Sequence, residues 1–455
     1  MLDLAVVLQG MIWLAAAAAF FGRRQATLFH PCTLYLAFHG IVFVLRPLAV
    51  HFLNFDLMWN YIGFYPSPED LLRALAASSA SLVVFLAACL RAGKAAIVMP
   101  PSAGRRFREQ EIRGLLITAG LLAPLIAYSI YETASGIKKE RVGSIYILSG
   151  AGGYIVESQQ MALPLIASII WVYRFRLWTF SLALFYVAYR VWFGWARWTI
   201  IVFVLLLVLL FCWQRRRLWL PVWMLLLFLP VFILFNALGH SRSLFKMILK
   251  GAPLVKESTA ECRTFSELLK RTLDTVDFAN LDELTYVMAV VPARTGTYTY
   301  GVQYLALFTE PIPRHLWRDK PVGAPLGFFN LNAYGNFFGL VVGLPGDGWL
   351  SGGWLGMCLT MAAAGWVVGR AHRWLWQNRE NQFRVLIYMT GLAALIQLYR
   401  DGGISVLKFL LFLWLPVVVW AVITRSLANP SWRRARMSPR QALHRSWPRC
   451  GAGDL

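Results

Sequence analysis

The sequence predicts an all-α, polytopic integral membrane bundle, and three observations lead there. Hydrophobic residues make up 58% of the 455 and charged residues only 15%, where a soluble domain averages about 25% charged. Apolar runs long enough to cross a bilayer recur from one end of the chain to the other. Lys and Arg crowd into alternate connections between those runs, which is the charge asymmetry of a chain threaded through a membrane.

A hydrocarbon core of about 30 Å takes roughly 20 apolar residues per helix. On that ruler eleven spans are predicted, at 4–22, 28–45, 71–90, 114–131, 158–173, 177–194, 198–213, 218–238, 350–369, 385–399 and 404–424. Residues 1–424 form one membrane domain, with the long connection 239–349 as a subdomain within it and a basic, disordered tail at 425–455. Arg23-Arg24 follow the first span and no basic residue precedes it, which reverses the polarity of a cleavable signal peptide. That span is expected to stay, with the N-terminus outside. The frame puts twenty-four Lys/Arg inside, against only Glu109, Glu111, Glu380 and Asp454. The formal charge of +22 is therefore the positive-inside signal, reinforced by anionic headgroups, and nucleic-acid binding has no support. Six scattered cysteines show neither a disulfide framework nor metal-ligand spacing. Candidates for buried ionisable groups are few, Arg46, Arg190 and Lys408; the first two are expected at an interface, and the third snorkelling outward.

The inside connections hold hardly a carboxylate, so acid–base chemistry is expected on the other side. There, residues 239–349 carry eleven Lys/Arg and ten Asp/Glu, too long and too rich for a passive connection. Between Ser241 and Val291, Leu268, Leu269, Leu273 and Val276 recur at helical spacing among charges. This predicts short amphipathic helices lying on the outer surface and capping the bundle. From Val291 to Trp349, Pro/Gly turns and aromatic side chains crowd together with Arg294, Arg314, Arg318 and Lys320. Arg pairs bidentately with phosphate oxygens, and aromatic rings offer flat apolar faces to sugars; a phosphate-linked glycan meets both. Taken singly, each aromatic also fits an interfacial belt. The run Arg314, His315, Trp317, Arg318, Asp319, Lys320 beside Pro311, Pro313 and Pro321 favours a ligand, because proline fixes a backbone that a belt would leave free. Arg400-Asp401-Gly402-Gly403 joins the last two spans, and its glycines suit a tight turn with N–H groups open to an anion.

EPIPRHLWRDKP from Glu310, GDGWLSGGWLGM at Gly346–Met357, YRDGGIS at Tyr399–Ser405 and HPCTLYLAFHGIVFVLRPL at His30–Leu48 resemble the bacterial O-antigen and exopolysaccharide repeat-unit polymerases of the Wzy type. Arg318 stands where that family usually has Pro, and Asp347 where Glu is common. The resemblance implies a GT-C-like arrangement of helices and transfer of a growing undecaprenyl-pyrophosphate-linked glycan onto a second lipid-linked repeat unit. The reaction would run at the outer face of the inner membrane without metal or other cofactor, with membrane lipids, a chain-length regulator and a flippase as expected partners. On that footing Glu310, Asp319, Asp347, Asp401 and His315 are unranked catalytic candidates. Arg294, Arg314, Arg318, Lys320 and Arg400 are candidates for the pyrophosphate, and Trp317, Tyr300, Tyr304 and Trp349 for sugar. An O-antigen ligase is the sister alternative. A polysaccharide transporter or flippase is the rival from another class, disfavoured because no internal repeat and few mid-span charges are present.

Overall fold

The computed structural model describes residues 2–53, 57–100, 106–134, 138–142, 145–149, 153–192, 198–224, 273, 276–309, 312, 316–317, 329–336 and 341–428. In chain order the main helices are α1 (Leu2–Phe21), α2 (Pro31–Phe52), α3 (Pro68–Ala92), α4 (Glu109–Ala134), α5 (Tyr154–Val172), α6 (Phe180–Trp192), α7 (Trp198–Gln214), α8 (Asn280–Val290), α9 (Gly343–Gln377), α10 (Gln382–Asp401) and α11 (Gly403–Ala428). Among the described residues, α1 to α5, α9 and α11 are long and apolar enough to cross a membrane, and α7 is a shorter apolar helix. The protein is a multi-pass helical membrane protein. Ten predicted spans fall on helices; the eighth, 218–238, lies outside the described residues beyond Met224, as do the tail from residue 429 and most of 225–275. The chain is all-helical in class, with one short antiparallel hairpin in the connection between α4 and α5, Lys138–Val142 paired with Ile145–Ser149.

Local chemistry sets the helix ends. Ser67 and Asp70 form a reciprocal capping box at the start of α3, with Pro68 at the first helical position. Asn381 accepts the Phe383 and Arg384 amide hydrogens at the start of α10. α9 is broken: its backbone leaves helical geometry at Gly352 and Gly353, so the first two turns run in a different direction from the rest. Beyond the break α9 lies against α3 at very short range. A Cβ on Gly369 would stand 2.5 Å from the Cys89 carbonyl oxygen, and one on Gly365 2.5 Å from that of Phe85. Glycines four apart are the usual means of bringing two membrane helices into backbone contact. Tyr35 of α2, Phe85 of α3 and Tyr399 of α10 meet ring to ring, with centroids 4.1 and 4.8 Å from Tyr35, and tie these three helices together.

Three expectations need correction. α8 falls in the stretch predicted to cap the bundle from outside, yet ten of its eleven residues are buried. It packs between α3 and α9, because its acidic side chains find cations within the bundle. Arg46, expected at an interface, is 1% exposed and pairs with Asp282 of α8, its Nε donating to the Leu273 carbonyl oxygen at 3.0 Å. Arg190 is equally buried, donating to Gln159 Oε1 at 3.1 Å and Thr199 Oγ1 at 2.8 Å. Each guanidinium finds buried acceptors, which removes the reason for placing it at a surface. Lys408 lies over the Tyr154 ring, 5.2 Å from its centroid.

Candidate active site

The break in α9 turns its first two turns inward and puts Asp347 at a junction with the α10–α11 turn. Asp347 is buried, and its carboxylate is held on three sides. Oδ2 accepts the Tyr304 hydroxyl at 2.6 Å and the Gly403 amide at 3.1 Å, while Oδ1 accepts Gln303 Nε2 at 3.3 Å. Gln303 also donates to Ser351 Oγ at 2.8 Å, one turn along α9. The turn can come this close only because it is glycine. Gly402 has φ +84°, and a Cβ there would meet Asp347 at 3.4 Å. Burial, together with the Asp347 carboxylate, raises the Tyr304 phenol above its ordinary range, so the hydroxyl stays protonated and donating.

Beside this junction lies a buried ionic cluster. Arg400, only 7% exposed, donates to Asp401 Oδ1 at 2.5 Å and to Asp277 Oδ1 at 3.0 Å, and its guanidinium covers the Trp198 ring at 4.7 Å. Trp198 Nε1 donates to the same Asp277 oxygen at 3.1 Å. Asn280 Nδ2 reaches the Arg400 carbonyl at 3.0 Å and Glu283 Oε2 at 3.4 Å, linking α8 to the end of α10. Two guanidiniums, Arg46 and Arg400, thus face four carboxyl groups: Asp277, Asp282, Glu283 and Asp401. Burial raises the Glu283 carboxyl well above its ordinary range, with Arg400 opposing; burial likewise raises Asp282, against Arg46. Burial thus favours the protonated form of Glu283.

An apolar groove of about 690 Å³ leads to this place. α9 and α11 both pack on α10, and the groove runs between them over small side chains such as Ala364 and Gly391, with Val367 and Leu407 exposed along its length. At one end it reaches Tyr304, Leu344 and Gly403, which surround Asp347.

Compared with family models, curated proteins and solved structures, the chain matches none. Its site is characterised by its own geometry.

Of the residues expected from sequence, the structure brings together Asp347, Tyr304, Arg400 and Asp401. Arg400, expected as an open phosphate clamp, is instead committed to two carboxylates, because Asp277 and Asp401 flank it inside the bundle; it positions the turn. Trp349, expected to stack on sugar, is buried with its indole N–H on the Val291 carbonyl oxygen at 2.9 Å, so it is a packing residue. Tyr300 is 73% exposed, and Arg294 and Trp317 are exposed too. Glu310, Arg314, His315, Arg318, Asp319 and Lys320 lie outside the described residues. Sequence reasoning missed Asp277, Asn280, Asp282, Glu283, Gln303 and Trp198, and it misplaced Arg46. An arginine inside an apolar span is itself a functional signal, and Arg46 gave that signal in the sequence.

Proposed function

We propose that the protein is a membrane glycosyltransferase that polymerises undecaprenyl-pyrophosphate-linked oligosaccharide repeat units at the outer face of the bacterial inner membrane. In this reading eleven spans form a GT-C-like bundle, residues 239–349 face outward, and the N-terminus lies outside with the tail in the cytoplasm. The observation that carries the reading is the convergence of two resembling segments, Gly346–Met357 and Tyr399–Ser405, on one oriented carboxylate at the end of an apolar groove. A lipid-linked glycan requires both features. Its isoprenoid chain needs a dry groove, and the sugar hydroxyl that attacks needs a proton acceptor. Asp347 is that acceptor: the Tyr304 hydroxyl on Oδ2 occupies the position an alcohol O–H would take. Arg400 and Asp401 hold the turn that supplies the Gly403 amide. Arg314, Arg318 and Lys320 are the cations assigned to the departing pyrophosphate, whose charge needs fixed positive groups when no metal takes part, and Arg294 stands exposed on the same connection. Glu310, Asp319 and His315 remain secondary acid–base groups in this scheme.

The test is a glycan ladder from a deletion strain complemented with Asp347→Asn. Asn keeps the shape and can still accept from Tyr304, but it cannot take a proton. The expected outcome is loss of about 100-fold or more of polymer at normal protein level, with single repeats accumulating. A wild-type ladder would overturn the assignment. Long chains left on the undecaprenyl carrier would instead indicate a ligase.

A further inference from the structure

The groove between α9 and α11 has a second end with different chemistry. There its walls are Ala371 and Trp374, and both residues also line a separate depression of about 420 Å³ completed by Arg370, Arg373 and Gln377. The two hollows therefore adjoin at Ala371 and Trp374. Arg370, Arg373 and Gln377 follow one another at helical spacings of three and four, so they share a face of α9. Arg370 lies against the Trp366 ring at 5.7 Å. Arg384, from the start of α10, covers the Trp374 ring at 6.0 Å. Among the described residues neither Arg370 nor Arg373 is paired with a carboxylate, and from 370 to 384 four arginines face the single acid Glu380.

A cationic cup that opens into an apolar trough fits one chemical class: a phosphate ester carrying long hydrocarbon chains. We infer that this end of the groove binds an anionic glycerophospholipid. Its phosphodiester sits on Arg370 and Arg373, Gln377 donates to the ester oxygens, and the acyl chains run over Ala371 into the groove. Snorkelling to the headgroup layer accounts for exposed arginines, but it does not account for a hollow that adjoins a groove whose walls are kept small by Ala363, Ala364 and Gly391. Each Lys or Arg near the surface of an anionic leaflet adds about 1 kcal/mol of attraction to acidic headgroups, and the depression presents two on one face of α9. The inference shares the groove with the polymerase reading, which lays an isoprenoid chain along it from the Asp347 end, but it uses none of the residues around Asp347 and is tested at Arg370 and Arg373.

The experiment is native mass spectrometry of the delipidated full-length protein in mild detergent, titrated with phosphatidylglycerol, phosphatidylcholine, a long-chain isoprenyl phosphate and glycerol 1-phosphate. Phosphatidylglycerol is expected to be retained about tenfold or more over phosphatidylcholine. The Arg370→Ala/Arg373→Ala variant should lose about fivefold per arginine removed, while still binding phosphatidylcholine as the wild type does. Ala363→Leu, which narrows the groove but keeps the cations, should also weaken retention. Glycerol 1-phosphate should not compete, because the chains contribute. Both variants alter exposed positions, and an unchanged unfolding temperature in phosphatidylcholine checks that they fold. Equal retention of the two phospholipids, or retention unaffected in the double variant, would overturn the inference. So would preferential uptake of isoprenyl phosphate that the Arg370→Ala/Arg373→Ala variant abolishes, which would assign the cup to a carrier lipid, or competition by glycerol 1-phosphate, which would make it a simple phosphate site.

Discussion

Glu283 is 0% exposed, and its Oε1 has no hydrogen-bond partner among the described residues, which is costly for a charge and tolerable for a protonated acid. The sign of its pH effect follows. In the unfolded chain this carboxyl titrates near about 4.3; in the folded protein burial raises it. Between those two values the native state binds more protons than the unfolded state, so stability falls as pH rises, by at most about 1.4 kcal/mol per pH unit for one group. Glu283→Gln removes this share of the slope. In detergent, the unfolding temperature of the wild type minus that of the variant is expected to fall as the pH rises from 5 to 8, leaving the variant no less stable at pH 8. A difference that does not change with pH would show that Glu283 contributes nothing to the slope. This acid was not legible in the sequence, because a Leu-Asp-Glu-Leu run with helical spacing reads equally as the solvated face of a surface helix. Only the folded chain shows that Arg46 and Arg400, distant in sequence, are waiting for its polar face. Asp347 and the Arg400-Asp401-Gly402-Gly403 turn were legible, because a glycine-bracketed charge next to a long apolar run has few ordinary uses.

At the scale of elements, the α3–α9 contact depends on two absent side chains. A Cβ on Gly369 would meet the Cys89 carbonyl oxygen at 2.5 Å and the Ala92 Cβ at 3.0 Å, and backbone cannot step aside as a flexible side chain can. Gly369→Ala is expected to destabilise the protein by about 1 to 3 kcal/mol, the usual cost of overpacking. Gly120 of α4 is the control: nothing lies within 4 Å of its Cβ position, so Ala there should be neutral or slightly stabilising through helix propensity. Thermal unfolding of the two variants decides the matter; equal unfolding temperatures would show that α3 and α9 can separate at no cost. Helix positions were readable from apolar run length. Their partners were not, since in lipid every apolar face looks alike and close packing of glycines replaces hydrophobic contrast. The break at Gly352-Gly353 was hidden for the same reason: the apolar run continues through it.

For the whole molecule, the twenty-four to four charge imbalance fixes the expected orientation. Reporter fusions after Gly104, Arg216 and Gly451 should report cytoplasm, and fusions after Thr259 and Lys320 the opposite side. A cytoplasmic signal at Lys320 would separate the loop cations from an outer-face reaction. The groove between α9 and α11 has a consequence for how such a molecule is supplied. Val367 and Leu407 are exposed along it, so a lipid chain of the kind proposed above would enter sideways from the surrounding lipid, without passing through water. The concentration that governs filling is then a mole fraction within a sheet two molecules thick. Diluting the cells leaves occupancy unchanged, whereas adding bulk lipid or detergent to a fixed amount of ligand lowers it in proportion. Affinities quoted per litre would vary with every change of micelle content, and ratios of ligand to total amphiphile would not.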